Sequence, residues 1–226
     1  MPDLQHLHHH WLRAWNELQH TPPLDLYEQL LQAYSEPQRH YHTLQHLAEC
    51  LQLQSESAHL AQQPGEVAIA LWFHDAVYDV KAHGNEARSA DWAVTALQTA
   101  SVSVEIQTRV HALIMATEHT AAPLAGDAAL LVDIDLSILG AAPARFAEYE
   151  RQIRQEYAWV PEDVFVEKRK AVLQSFQDQA PIYGTALFQT RLEAQARRNL
   201  ADALATLAVA RMLANSAFKE EKTHRL

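Results

Sequence analysis

Residues 67–79 read VAIALWFHDAVYD, and the reading of this stretch decides the fold. At helical spacing Val67, Ala70, Leu71, Val77 and Tyr78 make one apolar stripe, which predicts a helix over 66–79. His74 falls on the same stripe and Asp75 follows it directly. Burying an ionised carboxylate among apolar neighbours is costly unless something compensates it. Successive helical residues project about 100° apart, so an imidazole and a carboxylate in sequence can lean toward one metal ion or one water.

Helical patterns surround this stretch on both sides. Upstream they cover 3–20, 24–35 and a third segment from Tyr41 to Gln62, broken at TPPL, SEPQ and QQPGE. Downstream of the KAHGN loop, Asn85 reads as a cap with Glu86 in the first turn of the next helix. Further helices are expected over 103–119 and 127–139, with Gly140 standing where a helix C-terminus wants it. Three more follow, over 143–158, 162–178 and 185–216, separated by WVPED and APIYG. Only five glycines occur in 226 residues, and Ala, Leu, Gln and Glu, which lose little on entering a helix, are abundant. With no alternating strand pattern and no internal repeat, the expectation is an all-α protein. It is read as a single domain over 1–226, with a core over 25–140 and a helical C-terminal part over 143–216.

A net charge of −10 argues against a generic electrostatic grip on nucleic acid or an anionic membrane. The one cysteine, Cys50, excludes an internal disulfide and suits a reducing cytosol. The N-terminus lacks the apolar run of a signal peptide, and no window of about 18 apolar residues is available to span a bilayer. The expected location is therefore the cytoplasm. His6, His8, His9 and His10 crowd the first helix and are read as part of a solvated face.

Two other places repeat the pairing of polar ligand types with an apolar face. RHYHTLQHLAECL sets His42 and His46 four apart, on one helical face, and His46 shares its stripe with Cys50 and Leu53. In LLVDIDLSILG the stripe is Leu131, Ile134 and Ile138, and Asp135 sits on it, whereas Asp133 falls beside Leu130 and Ser137. Periodicity therefore favours Asp135 over Asp133 as the inward carboxylate. Two imidazoles and two carboxylates suit a divalent ion such as Mn, Fe, Co, Ni, Mg or Zn. Open positions on such an ion are the requirement of metal-assisted hydrolysis.

The ordered set of a histidine, a later HD pair in an apolar helix and a still later aspartate resembles the HD-domain superfamily of metal-dependent phosphohydrolases. RHYHTLQHL, LWFHDAVYD, NEARSA, DIDLSILG and EAQARRNL look more narrowly like a bacterial branch of predicted HD phosphohydrolases, over nearly the whole chain. The resemblance implies an HD-type helical bundle holding one divalent metal ion on His46, His74, Asp75 and Asp135. The ion would activate a water and polarise a phosphoryl oxygen of a small phosphorylated compound, a nucleotide being the leading candidate. Asp75, His119 and Glu86 are then the catalytic candidates, His119 as phosphate contact or proton donor. Glu86 is a candidate base, with helix capping as its structural alternative. Arg39, His42 and Tyr78 are candidate substrate contacts beside the ligands. Arg154 and Arg197 are further candidates, in a group of branch residues with Tyr157, Arg169, Tyr183 and Asn199. Glu193 and Arg197 also read as an ordinary helical ion pair.

Two other functions compete with this one. A di-iron HD-type oxygenase would need extra histidines between the HD pair and the last aspartate, where only His83, His111 and His119 lie. A ligand-binding or regulatory module would keep the metal site with slow turnover or none. The stripe along 185–216 is a candidate homodimer surface.

Overall fold

A computed structural model describes residues 3–118 and 124–223, with side chains described through residue 209. The described residues form ten α-helices and three short 3-10 helices, with no strand among them. The protein is all-α, as expected. Two compact units divide the chain, Met1–Ser137 and Ile138–Leu226. Among the described residues no helix is long and apolar enough to cross a membrane.

The first unit contains α1 (Leu4–Glu17), α2 (Leu26–Ala33), α3 (Leu44–Ser57), α4 (Pro64–Phe73), α5 (Asn85–Thr99), α6 (Val104–Met115) and α7 (Gly126–Asp135). Helix α4 is its axis, packing against α1, α3, α5, α6 and α7. Every residue from Gly65 to Phe73 is buried. A helix apolar on all sides belongs inside a core, so α4 has no solvent face to complement its stripe. Pro64 starts it at a position that tolerates the missing N–H. The Asp127 carboxylate accepts from the N–H groups of Gln62 and Gln63 at 2.7 and 2.8 Å, fixing the chain just before it. A Cβ at Gly65 would stand 2.9 Å from the Glu17 Cβ, so the glycine is what lets α1 lie this close. The one carboxylate of α4, Glu66, is buried and takes a two-pronged bond from Arg109 of α6 at 2.8 and 2.6 Å.

Several element boundaries differ from the sequence expectation. Helix α4 stops at Phe73 rather than 79, because His74 and the following residues turn the chain away. Helix α3 starts at Leu44 with Thr43 as its cap, the Thr43 hydroxyl accepting from Gln45 N at 3.3 Å, so His42 precedes the helix. Before α5 the capping position belongs to Gly84 at φ 73°, which glycine adopts without strain, and Asn85 is the first helical residue.

The N-terminal histidines divide. His6, His8 and His9 are exposed, whereas His10 is buried, with its Nε2 2.9 Å from that of His6. Burial, and after it the charges of His6, His9 and Arg13, hold the His10 pKa down at about 4. Between its unfolded value of 6.5 and about 4, the unfolded chain binds a proton that the folded chain refuses. Stability from this group is thus complete above pH 6.5 and is lost as pH falls through that window. Thermal melts at pH 7.5 and 5 should therefore show a smaller acid-induced drop for His10→Gln than for wild type. An equal drop would remove His10 from the account.

The second unit contains α8 (Pro143–Glu156), α9 (Glu162–Asp178) and α10 (Ala186–Thr223). Arg169 of α9 pairs with Glu150 of α8 and lies over the Tyr149 ring, 4.9 Å from its centre. Asn199 of α10 donates to the carbonyls of Leu139 and Ala141, both at 2.8 Å. Gly140 sits between them, where a Cβ would meet the Leu192 Cβ at 2.6 Å. Close approach of α10, rather than a left-handed turn, is the reason for that glycine.

Candidate metal centre

The end of α4 builds one half of the site. The last carbonyls of a helix lack intrahelical partners. One of them, Leu71 O, accepts the Nδ1–H of His74 at 2.8 Å. That bond fixes the ring's orientation and turns Nε2 toward His46 and the carboxylates. His46 arrives from the first turn of α3, and its Nε2 stands 3.1 Å from that of His74. Asp75 Oδ2 lies 3.1 Å from His74 Nε2 and 3.5 Å from His46 Nε2. Asp135, the last residue of α7, places Oδ1 at 3.2 Å from His46 Nε2 and 3.5 Å from His74 Nε2. Both imidazoles are fully buried, and both carboxylates are partly exposed, so the group opens to the surface on its acidic side.

Atoms bound about 2.0–2.2 Å from one ion stand about 2.8–3.6 Å from their neighbours in octahedral or tetrahedral arrangements. The five separations above all lie in or at the edge of that range. Cys50, His46, His74 and Asp135 form an overlapping group that could hold a metal ion, with the thiol in place of the Asp75 carboxylate. The Cys50 Sγ is 3.7 Å from His46 Nδ1 and 3.8 Å from Nε2. Near-equal distances keep the sulfur off the lone-pair direction of either nitrogen. Sequence reading had put Cys50 on the His46 stripe without giving it a place in the site.

Electrostatics tie the group together. Burial opposes the charged form of His74, yet Asp75, Tyr34 and the bonds to Asp135 and Asp75 outweigh it and hold its pKa well above the usual range. For His46, burial is likewise outweighed, by Cys50 and Tyr41 and by the two carboxylates. The Asp75 carboxyl resists burial in turn, held well below its ordinary value by His74, His42 and the bonds from both imidazoles. The negative field that draws protons here is the field a divalent cation would meet.

Of the two aspartates in DID, Asp133 is the more deeply buried, so periodicity does not sort them as expected. The distances to the imidazoles belong to Asp135. His42 lies at the rim, its ring stacked on Tyr78 at 4.1 Å and 6.0 Å from the His46 ring. Arg39 is buried and bonded to main-chain carbonyls. Glu86 sits in the first turn of α5, where its charge complements the helix N-terminus, and outside the buried group. The rest of NEARSA staples the loop after the site: Ser89 Oγ accepts from Val77 N at 3.0 Å, and Asn85 brackets the Asp79 backbone at 3.2 and 3.1 Å.

Tyr34, which the sequence did not single out, supplies a hydroxyl that accepts from Asp75 N at 3.3 Å. Burial pushes its own pKa up to about 12. His119 lies outside the described residues. His83 is exposed, and His111 lies 3.9 Å from Asp91. In the second unit Arg154 donates to Glu162 and to the carbonyls of Tyr157 and Val160. Arg197 donates to Glu193 and to the carbonyls of Gln177 and Gln179, so both arginines bind within their own unit.

Fold and site together define an all-α protein with a buried histidine–carboxylate group able to hold a metal ion. The chain matches no protein-family model, no curated protein and no solved structure.

Proposed function

We propose that the protein is a metal-dependent phosphohydrolase of the HD type, acting on a small phosphorylated compound such as a nucleotide. The observation that carries this reading is the approach of one carboxylate oxygen each from Asp75 and Asp135 to within 3.1–3.5 Å of two imidazole nitrogens that are themselves 3.1 Å apart. His46, His74, Asp75 and Asp135 are the ligands in this reading, and the ordered HD motifs of the sequence support the same set. A divalent ion held there supplies Lewis acidity and lowers the pKa of a coordinated water.

The chain's own residues divide the remaining work. The buried imidazoles form the inner wall, and the two carboxylates balance the cation's charge on the open side. In this reading His42, stacked on Tyr78, donates to a phosphoryl oxygen. The reading is tested with protein loaded with Mn or Ni and offered nucleoside mono-, di- and triphosphates and sugar phosphates. Phosphate or pyrophosphate release is expected, and stripping the ion with a chelator should lower the rate by about 10³-fold or more, since charge stabilisation by an ion contributes several kcal/mol. Stoichiometric metal binding with no release from any of these compounds would favour the regulatory module instead.

A further inference from the structure

We propose that Arg39 is a positioning residue that holds the Asp75 carboxylate at the two imidazoles, rather than a clamp on phosphate; this rests on the metal reading above. Its side chain has no exposure. Nε donates to Glu36 Oε2 at 3.0 Å. Nη1 donates to Asp75 O at 2.6 Å and His42 O at 3.3 Å, and Nη2 donates to Ala76 O at 3.0 Å. Four of the five N–H groups of a guanidinium are thereby engaged. Its carbon lies 5.3 Å from the centre of the Tyr34 ring and 5.5 Å from that of Tyr78.

The need for this arrangement follows from how α4 ends. A helix often closes on a glycine in the left-handed region, whose turn satisfies the last carbonyls. Residues 74–80 contain no glycine, and none of them has a positive φ. Arg39 instead braces the turn that follows the helix: its planar fork reaches two successive carbonyls, Asp75 and Ala76, just beyond Phe73, and its charge lies near the negative end of α4. A third bond goes to His42, next to the Thr43 cap of α3, whose first turn carries His46. One guanidinium therefore joins the start of α3 to the exit of α4. It sets the distance between His46 and Asp75, two of the proposed ligands. The Tyr34 hydroxyl, accepting from Asp75 N, holds the same residue from the other side of its peptide unit.

The probes are Co(II) alone, followed through its visible absorption, and then inorganic phosphate added to the cobalt-loaded protein. Wild type should bind about one cobalt per chain. Arg39→Lys keeps a cation near the helix end but cannot span two carbonyls, so it should fold. It should bind cobalt about 10–100-fold more weakly, the usual cost of losing support behind a ligand. At saturation its absorption bands should differ from wild type, because Asp75 is no longer held, while its phosphate affinity stays unchanged. Arg39→Gln should show the same changes more strongly. Wild-type cobalt affinity and spectrum in Arg39→Lys would overturn the inference while leaving the metal reading intact. So would lost phosphate affinity with cobalt binding unchanged, the pattern of a clamp, or a lower melting temperature with an unaltered spectrum. A wild-type chain that binds no cobalt would overturn both this inference and the metal reading.

Discussion

Asp75→Ala protein is expected to emerge from purification without the divalent ion that the wild-type chain holds, and Asp135→Ala likewise, whereas Asp133→Ala keeps it. Sharing a site's binding free energy of about 10–16 kcal/mol among four ligands assigns about 3 kcal/mol to each, or more than about a hundredfold in affinity. Elemental analysis of the four proteins, prepared side by side, reads this directly. Asp133 is the informative control, because it is buried and two residues from Asp135, yet the short distances to His46 and His74 are those of Asp135. Metal retained by Asp135→Ala and lost from Asp133→Ala would move the last ligand two residues back. Metal retained at the wild-type level by Asp75→Ala would dissolve the four-donor assignment. Cys50→Ala should keep its ion, since the sulfur stands farther from His46 Nε2, at 3.8 Å, than either carboxylate oxygen does.

Much of this arrangement was legible in the sequence, for reasons that differ from residue to residue. His74 and Asp75 stood out because charge in an apolar run demands compensation, and that argument does not depend on where the helix ends. It survives the finding that α4 stops at Phe73. His46 was found through its own stripe, although its supposed helical partner His42 lies before α3 and reaches the site through the Thr43 turn. Periodicity could not separate Asp133 from Asp135. Helix α7 is enclosed widely enough to bury both faces, and its last turn runs into a 3-10 segment that rotates the pattern. Arg39 was read as a phosphate contact because nothing local tells a buried guanidinium from an open one. Besides Glu36 and His42, its partners are the carbonyls of Asp75 and Ala76, more than thirty residues away. Tyr34 left no local signal for the same reason, since an aromatic at the end of an amphipathic helix reads as core.

Trp72→Ala is expected to cost about 3–5 kcal/mol, the range for deleting a large buried aromatic. Trp72 is fully buried in α4, the helix that packs against α1, α3, α5, α6 and α7. Its ring meets that of Trp11 at 5.1 Å and that of Tyr27 at 5.8 Å, so truncation opens a cavity among α1, α2 and α4 together. Domains typically have about 5–15 kcal/mol of total stability, which makes this loss a large share of the whole. In a chain of this size it should lower the melting temperature by roughly 6–20 °C. Trp72→Phe should cost much less, about 1–2 kcal/mol, because it keeps most of the volume and the indole Nε1 it removes has no partner among the described residues. A loss below about 1 kcal/mol in Trp72→Ala would mean that α4 is not enclosed on all sides. The same protein also separates packing from ligation. A ligand that binds only the folded state raises stability by mass action. If the cavity leaves the turn after Phe73 in place, saturating metal should raise the melting temperature of Trp72→Ala as much as that of wild type. A smaller rise would show that the rigidity of α4 itself, and not only the bonds made by Arg39 and Leu71 O, holds His74 and Asp75 at the proposed centre.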